Sequence, residues 1–211
     1  MSLLFRFNLD RAIDVTSLIL STLVVEEISA WKLLRLIYLI ERCSLRDFDR
    51  PIIGGTNILR GSSPICEELY KILFWFREVP IEVSKNQELW DNYYFVNRGS
   101  ECKNSPIVTN KDSYLRVENL NEEEDCLIRN SCEYLKCLEL EDTCFIFPET
   151  EPLELDYQEI DNCYLLKVLG KTEEEIEEIK RWLNDFDHQD CQKDLQQCAR
   201  LDTHRTSWPT G

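Results

Sequence analysis

Histidine is nearly missing from this chain: only His188 and His204 occur, both near the C-terminal end. Imidazole is the side chain whose ordinary pKa suits acid–base work at neutral pH, so its scarcity removes the commonest catalytic group. Glycine is also sparse, with 6 residues, and none of them builds a phosphate-cradling loop; no nucleophile elbow and no metalloprotease motif occurs either. Long apolar runs are absent too. The longest clean run near the start, Leu18 to Val25, contains Ser21 and Thr22 and is too short to span a bilayer. Asp10, Arg11 and Asp14 break the N-terminal segment before a secretory core could form, so the expected compartment is the cytoplasm. Thiols stay reduced there. Of the 10 cysteines, Cys43, Cys66, Cys126, Cys132, Cys137, Cys144 and Cys163 sit inside or beside apolar patterns and read as small buried hydrophobes rather than a disulfide framework.

What the chain has in excess is negative charge. It carries 24 Lys/Arg against 40 Asp/Glu, a net −16 over 211 residues. The imbalance is local: residues 1–80 hold ten basic and ten acidic side chains, so the whole excess lies in residues 81–211. Such a surface repels phosphate and anionic lipid, which argues against nucleic acid and membrane partners. It favours a basic protein partner, although solubility alone explains the same charge.

The pattern predicts a mainly α fold with a small inserted antiparallel β-sheet (α+β), arranged around a buried central helix. Asn8 or Asp10 caps a first helix that reaches about Val24, and Ser29 caps a second over Ala30 to about Leu45. Leu33, Leu34, Leu36, Ile37, Leu39 and Ile40 wrap most of that second helix, which marks it as the core element; Arg35, Glu41 and Arg42 form its narrow outward strip. Pro51 ends it. Gly54-Gly55 and Gly61-Ser62-Ser63 bracket a short extended segment, and Pro64 with Ser63 as cap predicts a helix start running to about Glu78. Tyr93–Val96, Pro106–Val108 and Tyr114–Val117 read as β-strands of an insertion at about 90–118. Asn121 and Glu124 predict a capping box, as do Thr172 and Glu175, the latter opening a helix over Glu173–Phe186. Between them, Asp156–Leu169 is predicted as the last core helix, stopped by Gly170. The domain is expected to occupy residues 1–186, followed by a polar tail, 187–211.

Two blocks carry a resemblance. The first runs through Lys32, Leu33, Leu34, Leu36, Tyr38 and Leu39, then Pro51, Ile52 and Gly54, then Pro64, Ile65, Leu69 and Tyr70. The second comprises Leu155-Asp156-Tyr157 and the stretch Leu165-Leu166-Lys167-Val168-Leu169-Gly170-Lys171-Thr172-Glu173-Glu174-Glu175-Ile176. Together they resemble the Panacea antitoxin domain, the SocA-like family, over roughly residues 10 to 183. The chain departs from the family's pattern at Ser63, where members often have glycine, and at Phe147-Pro148-Glu149, where an LPEW-like turn is usual. The resemblance implies an antitoxin that binds a cognate protein toxin directly or acts as an adaptor delivering it to a protease, without chemistry of its own.

Candidate residues follow from both readings. Arg50 and Arg60 border the loop signature, a rigid platform suited to recognition. Glu174, Glu177 and Glu178 offer an acidic strip for a basic partner, although a solvated helix face with Ile176, Ile179, Trp182 and Leu183 turned inward explains the same pattern. No catalytic, cofactor-binding or metal residues are assigned. His188, Cys191, Cys198 and His204 are zinc-competent, but their spacing lacks the paired knuckles that make zinc motifs specific. The alternatives to an antitoxin are an acidic DNA mimic that inhibits a nucleic-acid enzyme, and a non-enzymatic scaffold.

Overall fold

The computed structural model describes residues 3–60, 63–74, 81–97, 106–111, 117–136, 147 and 157–183. The chain divides into two units, Met1–Lys171 and Thr172–Gly211.

In the first unit, α1 (Leu9–Leu23) starts at Asn8, whose side chain accepts from the Arg11 backbone N–H. It ends at Val24 in the left-handed region, followed by β1 (Glu27–Ser29). Ser29 then caps α2 (Ala30–Phe48), its hydroxyl accepting from the Lys32 N–H, as the sequence predicts. The helix runs three residues beyond Leu45 and stops where Asp49 turns left-handed, φ +59°. α2 is the central element: it packs against α3, α5, β1 and β3, with Leu33, Leu34, Leu36, Ile37 and Ile40 buried. The outward strip holds one correction. Glu41 is buried, because its carboxylate meets the backbone of the following loop instead of water.

β2 (Asn57–Arg60) and β3 (Ser63–Cys66) pair antiparallel. This corrects the predicted helix start at Pro64. Pro64 lies opposite Leu59 on the edge strand of a three-stranded sheet ordered β3-β2-β6, a position where its missing N–H is tolerated. Ser63 caps nothing; its hydroxyl accepts from Arg35 Nε at 3.0 Å. The helix, α3 (Glu67–Phe74), begins three residues later, and the span predicted beyond Phe74 lies outside the described residues up to Pro80. α4 (Ile81–Tyr93) follows, a helix the sequence pattern does not reveal, since its apolar spacing is weak; Trp90 is its fully buried anchor.

β4 (Tyr94–Asn97) and β5 (Ile107–Asn110) form the predicted antiparallel pair. Their third strand is β1, from far upstream, in the order β1-β5-β4. Of the predicted strand at Tyr114–Val117 only Val117 is described, and it is not in a strand. α5 (Glu122–Lys136) opens with the predicted capping box: Asn121 N–H donates to Glu124, and Glu124 N–H to the Asn121 side chain at 2.9 Å. Its inner face is Glu124, Ile128 and Cys132, which leaves Cys126 on the opposite side and exposed, unlike the buried Cys66 and Cys132.

The predicted helix over Asp156–Leu169 is shorter than expected. Tyr157 adopts φ +66°, and β6 (Gln158–Glu159) pairs with β2 before Asp161 caps α6 (Asn162–Val168). Gly170 at φ +89° ends it, as predicted. In the second unit, helix α7 (residues 173–183) begins with the reciprocal Thr172–Glu175 capping box. Ile176 and Ile179 are buried, but Trp182 is 44 % exposed: six positions from Ile176 turn it about 240° round the helix, off the apolar face. Residues 187–211, with the four zinc-competent side chains, lie outside the described residues. No described helix is long and apolar enough to cross a membrane.

Candidate functional site

Three surfaces carry the sequence-predicted residues. The first is the Arg50–Gly55 loop. Its backbone is satisfied almost wholly by the protein's own groups. Ser44 donates its hydroxyl to the Arg50 carbonyl at 2.7 Å. Glu41 accepts from the N–H groups of Ile52 at 3.0 Å, Ile53, and Gly54 at 3.2 Å. Asn8 N–H donates to the Ile53 carbonyl, Gly55 N–H to the Phe5 carbonyl, and Arg11 Nε to the Ile52 carbonyl. Glycine is required at position 54: φ is +68°, and a Cβ there would collide with the Arg6 carbonyl. Burial pushes the Glu41 carboxyl up to about 7, only partly offset by the three N–H donors and by Arg11.

Arg50 at the head of this loop is turned back onto the protein. Its Nη2 lies 3.6 Å from both Glu123 and Glu124, and its guanidinium sits over the Phe48 ring. Arg11 Nη2 reaches the same Glu124 carboxylate at 2.7 Å. Glu124 is 2 % exposed, so this ion pair is shielded and ties α1, the loop and the start of α5 together. Asp14 contributes from the next turn of α1, accepting from the backbone N–H groups of Glu118 and Asn119. The geometry gives Arg50 a structural duty.

The second surface surrounds Arg60. Its guanidinium lies between two aromatic rings, 5.8 Å from the centroid of Tyr70 and 5.5 Å from that of Tyr157. Tyr70 stacks on Phe74 and both touch Trp31. Tyr157 donates its hydroxyl hydrogen to Glu67, which also pairs with Lys71 at 2.8 Å. That bond to Glu67 raises the Tyr157 phenol to about 12. Arg35 reaches Ser63, the register partner of Arg60. Arginine, tyrosine and tryptophan are the residues most often found at the energetic centres of protein interfaces.

The third surface is the outer face of α7. Glu177 pairs with Lys180 at 2.7 Å, which lowers its carboxyl pKa, and Glu178 approaches Arg181 at 3.9 Å. Glu174 is exposed and has no ion pair among the described residues. Two of the three carboxylates of the strip thus have a cation beside them.

Arg50 and Arg60 occupy separate parts of the first unit, one against α5 and the other between Tyr70 and Tyr157. Sequence reasoning missed Glu41, Arg11 and Glu124, the groups that hold the loop. The available signal was an acidic residue on an otherwise apolar helix, followed by a Gly-Gly turn whose N–H groups need an acceptor. In the sequence Tyr157 stands only as part of the second block, with no sign that it faces Arg60. Among the described residues no group of three or more His, Cys, Asp or Glu side chains is arranged to hold a metal. Comparison with known proteins finds no matching family model, no matching curated protein and no matching solved structure.

Proposed function

We propose that the protein is a cytoplasmic antitoxin of a toxin–antitoxin pair, similar in kind to the Panacea domain, which neutralises a cognate protein toxin by binding it. The partner is a protein with a basic surface, met by the acidic second part of the chain; a variant of the reading has the bound toxin delivered to a protease. The protein performs no reaction and needs no cofactor.

The observation that best supports this reading is the meeting of the two resembling blocks. Ile58 and Leu59, which lie between Gly54 and Pro64 of the first, pair with Glu159 and Gln158, directly after Tyr157 of the second. Ile160 N–H donates to the Asn57 carbonyl, and Tyr157 reaches both Arg60 and Glu67. Residues far apart in sequence thus build one platform, as they would if they belonged to one domain pattern. The DNA-mimic reading gains nothing comparable: mimicry of phosphate requires a regular unneutralised strip, and Lys180 and Arg181 interrupt the one on α7.

Co-expression tests the proposal. A toxic protein encoded beside this gene is induced with and without it, and growth is followed. Restored growth is the expected result; unchanged killing, with this protein present at full level, is the contrary one.

A further inference from the structure

The sheet of β1, β5 and β4 turns one face to the core and the other to solvent. Ile28 and Val108, partners in one row, are buried, so the next row, Glu27, Thr109 and Phe95, points outward. Phe95 is 58 % exposed there, and with strands about 4.8 Å apart its Cα lies roughly 10 Å from that of Glu27. Val24 and Val25 stand just ahead of β1, both exposed, Val24 to 85 %. Single exposed apolar side chains are ordinary on any surface; three at the same end of one sheet form a patch.

The backbone of Val24 is an independent observation. Its φ of +57° closes α1, with its N–H donating to the Ser21 carbonyl at 3.2 Å and the Val25 N–H to the Leu20 carbonyl at 3.1 Å. Glycine ordinarily fills that position, because a branched side chain is strained in it. Packing does not account for the valine either, since its side chain faces solvent. Glycine would suit the backbone better and take nothing from the core. A strained, exposed apolar residue that the fold does not require points to a contact made outside the chain.

Two carboxylates frame the patch. Glu26 and Glu27 are exposed, and neither carboxylate has an ion pair or hydrogen bond among the described residues. Lys111, the residue after β5, turns its ammonium onto the Asp91 carbonyl instead. We infer that the Val24–Val25–Phe95 patch docks a basic segment of the protein partner, one with a large apolar side chain flanked by Lys or Arg. The three apolar side chains receive the apolar residue, and Glu26 and Glu27 receive its cationic neighbours. The same carboxylates repel nucleic acid and anionic lipid. This deepens the antitoxin reading and rests on it for the identity of the partner, whose basic surface then carries the docking segment.

Selection from a random twelve-residue peptide library tests the inference on the full chain, in parallel with Val24→Gly/Phe95→Ser and Glu26→Lys/Glu27→Lys variants. Expected on the wild type is enrichment of peptides with Leu, Ile, Phe or Trp beside Lys or Arg. The first variant should lose that enrichment at least tenfold, and the second should lose the preference for Lys and Arg. A synthetic copy of the enriched peptide should shift the backbone amide resonances of Val25, Glu27, Phe95 and Thr109. Val24→Gly alone separates contact from fold, and serves if the double variant unfolds: its urea midpoint should equal or exceed that of the wild type while its peptide affinity falls. A lowered midpoint with unchanged affinity, enrichment of acidic or wholly polar peptides, equal enrichment on wild type and variants, or no enrichment over an unrelated protein overturns the inference. So does self-association abolished by Phe95→Ser, which makes a second copy the occupant. Toxin neutralisation left whole by Val24→Gly/Phe95→Ser overturns the docking surface and leaves the antitoxin reading standing. Killing that persists with the wild type, beside selective enrichment, overturns that reading and leaves the surface.

Discussion

Leu59 of β2 and Gln158 of β6 are register partners in an antiparallel pair, and the Tyr157 N–H beside them donates to the Leu59 carbonyl at 2.7 Å. This short junction ties the end of the first unit's chain to its α2–β2–β3–α3 body. Its side-chain counterpart is the bond from the Tyr157 hydroxyl to Glu67.

Removing that hydroxyl tests the junction. Tyr157→Phe keeps the ring beside Arg60 and deletes only the bond to Glu67. Because Tyr157 is partly exposed, the cost is at the low end for a charge-assisted bond, about 1 kcal/mol. Urea denaturation should show a lower midpoint with an unchanged slope.

The central helix permits a harsher test. Leu36 is 1 % exposed, so Leu36→Asp puts an unpaired carboxylate into a dry core, at several kcal/mol. The variant should lose its cooperative thermal transition and its helical circular dichroism. A folded, monomeric Leu36→Asp protein would contradict the placement of α2.

α2 was legible because Leu33 through Ile40 repeat their apolar side chains almost all round, a pattern that only a buried helix satisfies. The N-caps at Ser29, Asn121 and Thr172 were legible for a similarly local reason, and Asn8 was one of two candidates: each cap is decided by residues within one turn. Pro64 misled because Ser-Pro-x-x-Glu suits a helix start and an edge strand equally well, and pairing with β2 decides between them. Gln158–Glu159 was hidden for the same reason, since its partner lies far away in sequence. The site divides along this line. Arg60 was identified, but its two tyrosines were not, and Arg50 is held by Glu124 in a way no spacing rule reports.

The glycine of the loop should be irreplaceable. Gly54→Ala introduces strain at φ +68° and a collision with the Arg6 carbonyl, which is backbone and cannot swing aside. A loss of about 2 kcal/mol or more is expected by chemical denaturation. Gly170→Ala offers the contrast: it has a similar φ of +89° but open space around it, so only the backbone strain applies.

The burial of Glu41 gives the stability a pH dependence. Burial raises its folded-state pKa to about 7, above the ordinary 4.5. Its contribution is then fully present below pH 4.5 and is lost as pH rises through 7, by about 3 kcal/mol in all. The difference in unfolding free energy between the wild type and Glu41→Gln, measured from pH 4.5 to 8.5, should shrink across that window. A difference that grows with pH would show that the three N–H donors outweigh burial.

The central claim is that this protein works by forming a stoichiometric complex with a toxic protein partner. The most direct measurement is light scattering on the pair co-purified after joint expression, with the association rate followed by rapid mixing of the separated proteins at low and high salt and repeated with Glu174, Glu177 and Glu178 changed to Lys. These exposed charges act at long range, so they bear on encounter more than on affinity, and their effect is screened over about 8 Å at physiological salt. The expected result is a one-to-one complex that forms more slowly with the reversed charges and also more slowly in high salt. A protein that elutes alone at every salt concentration, beside a toxin it does not restrain, would contradict the claim.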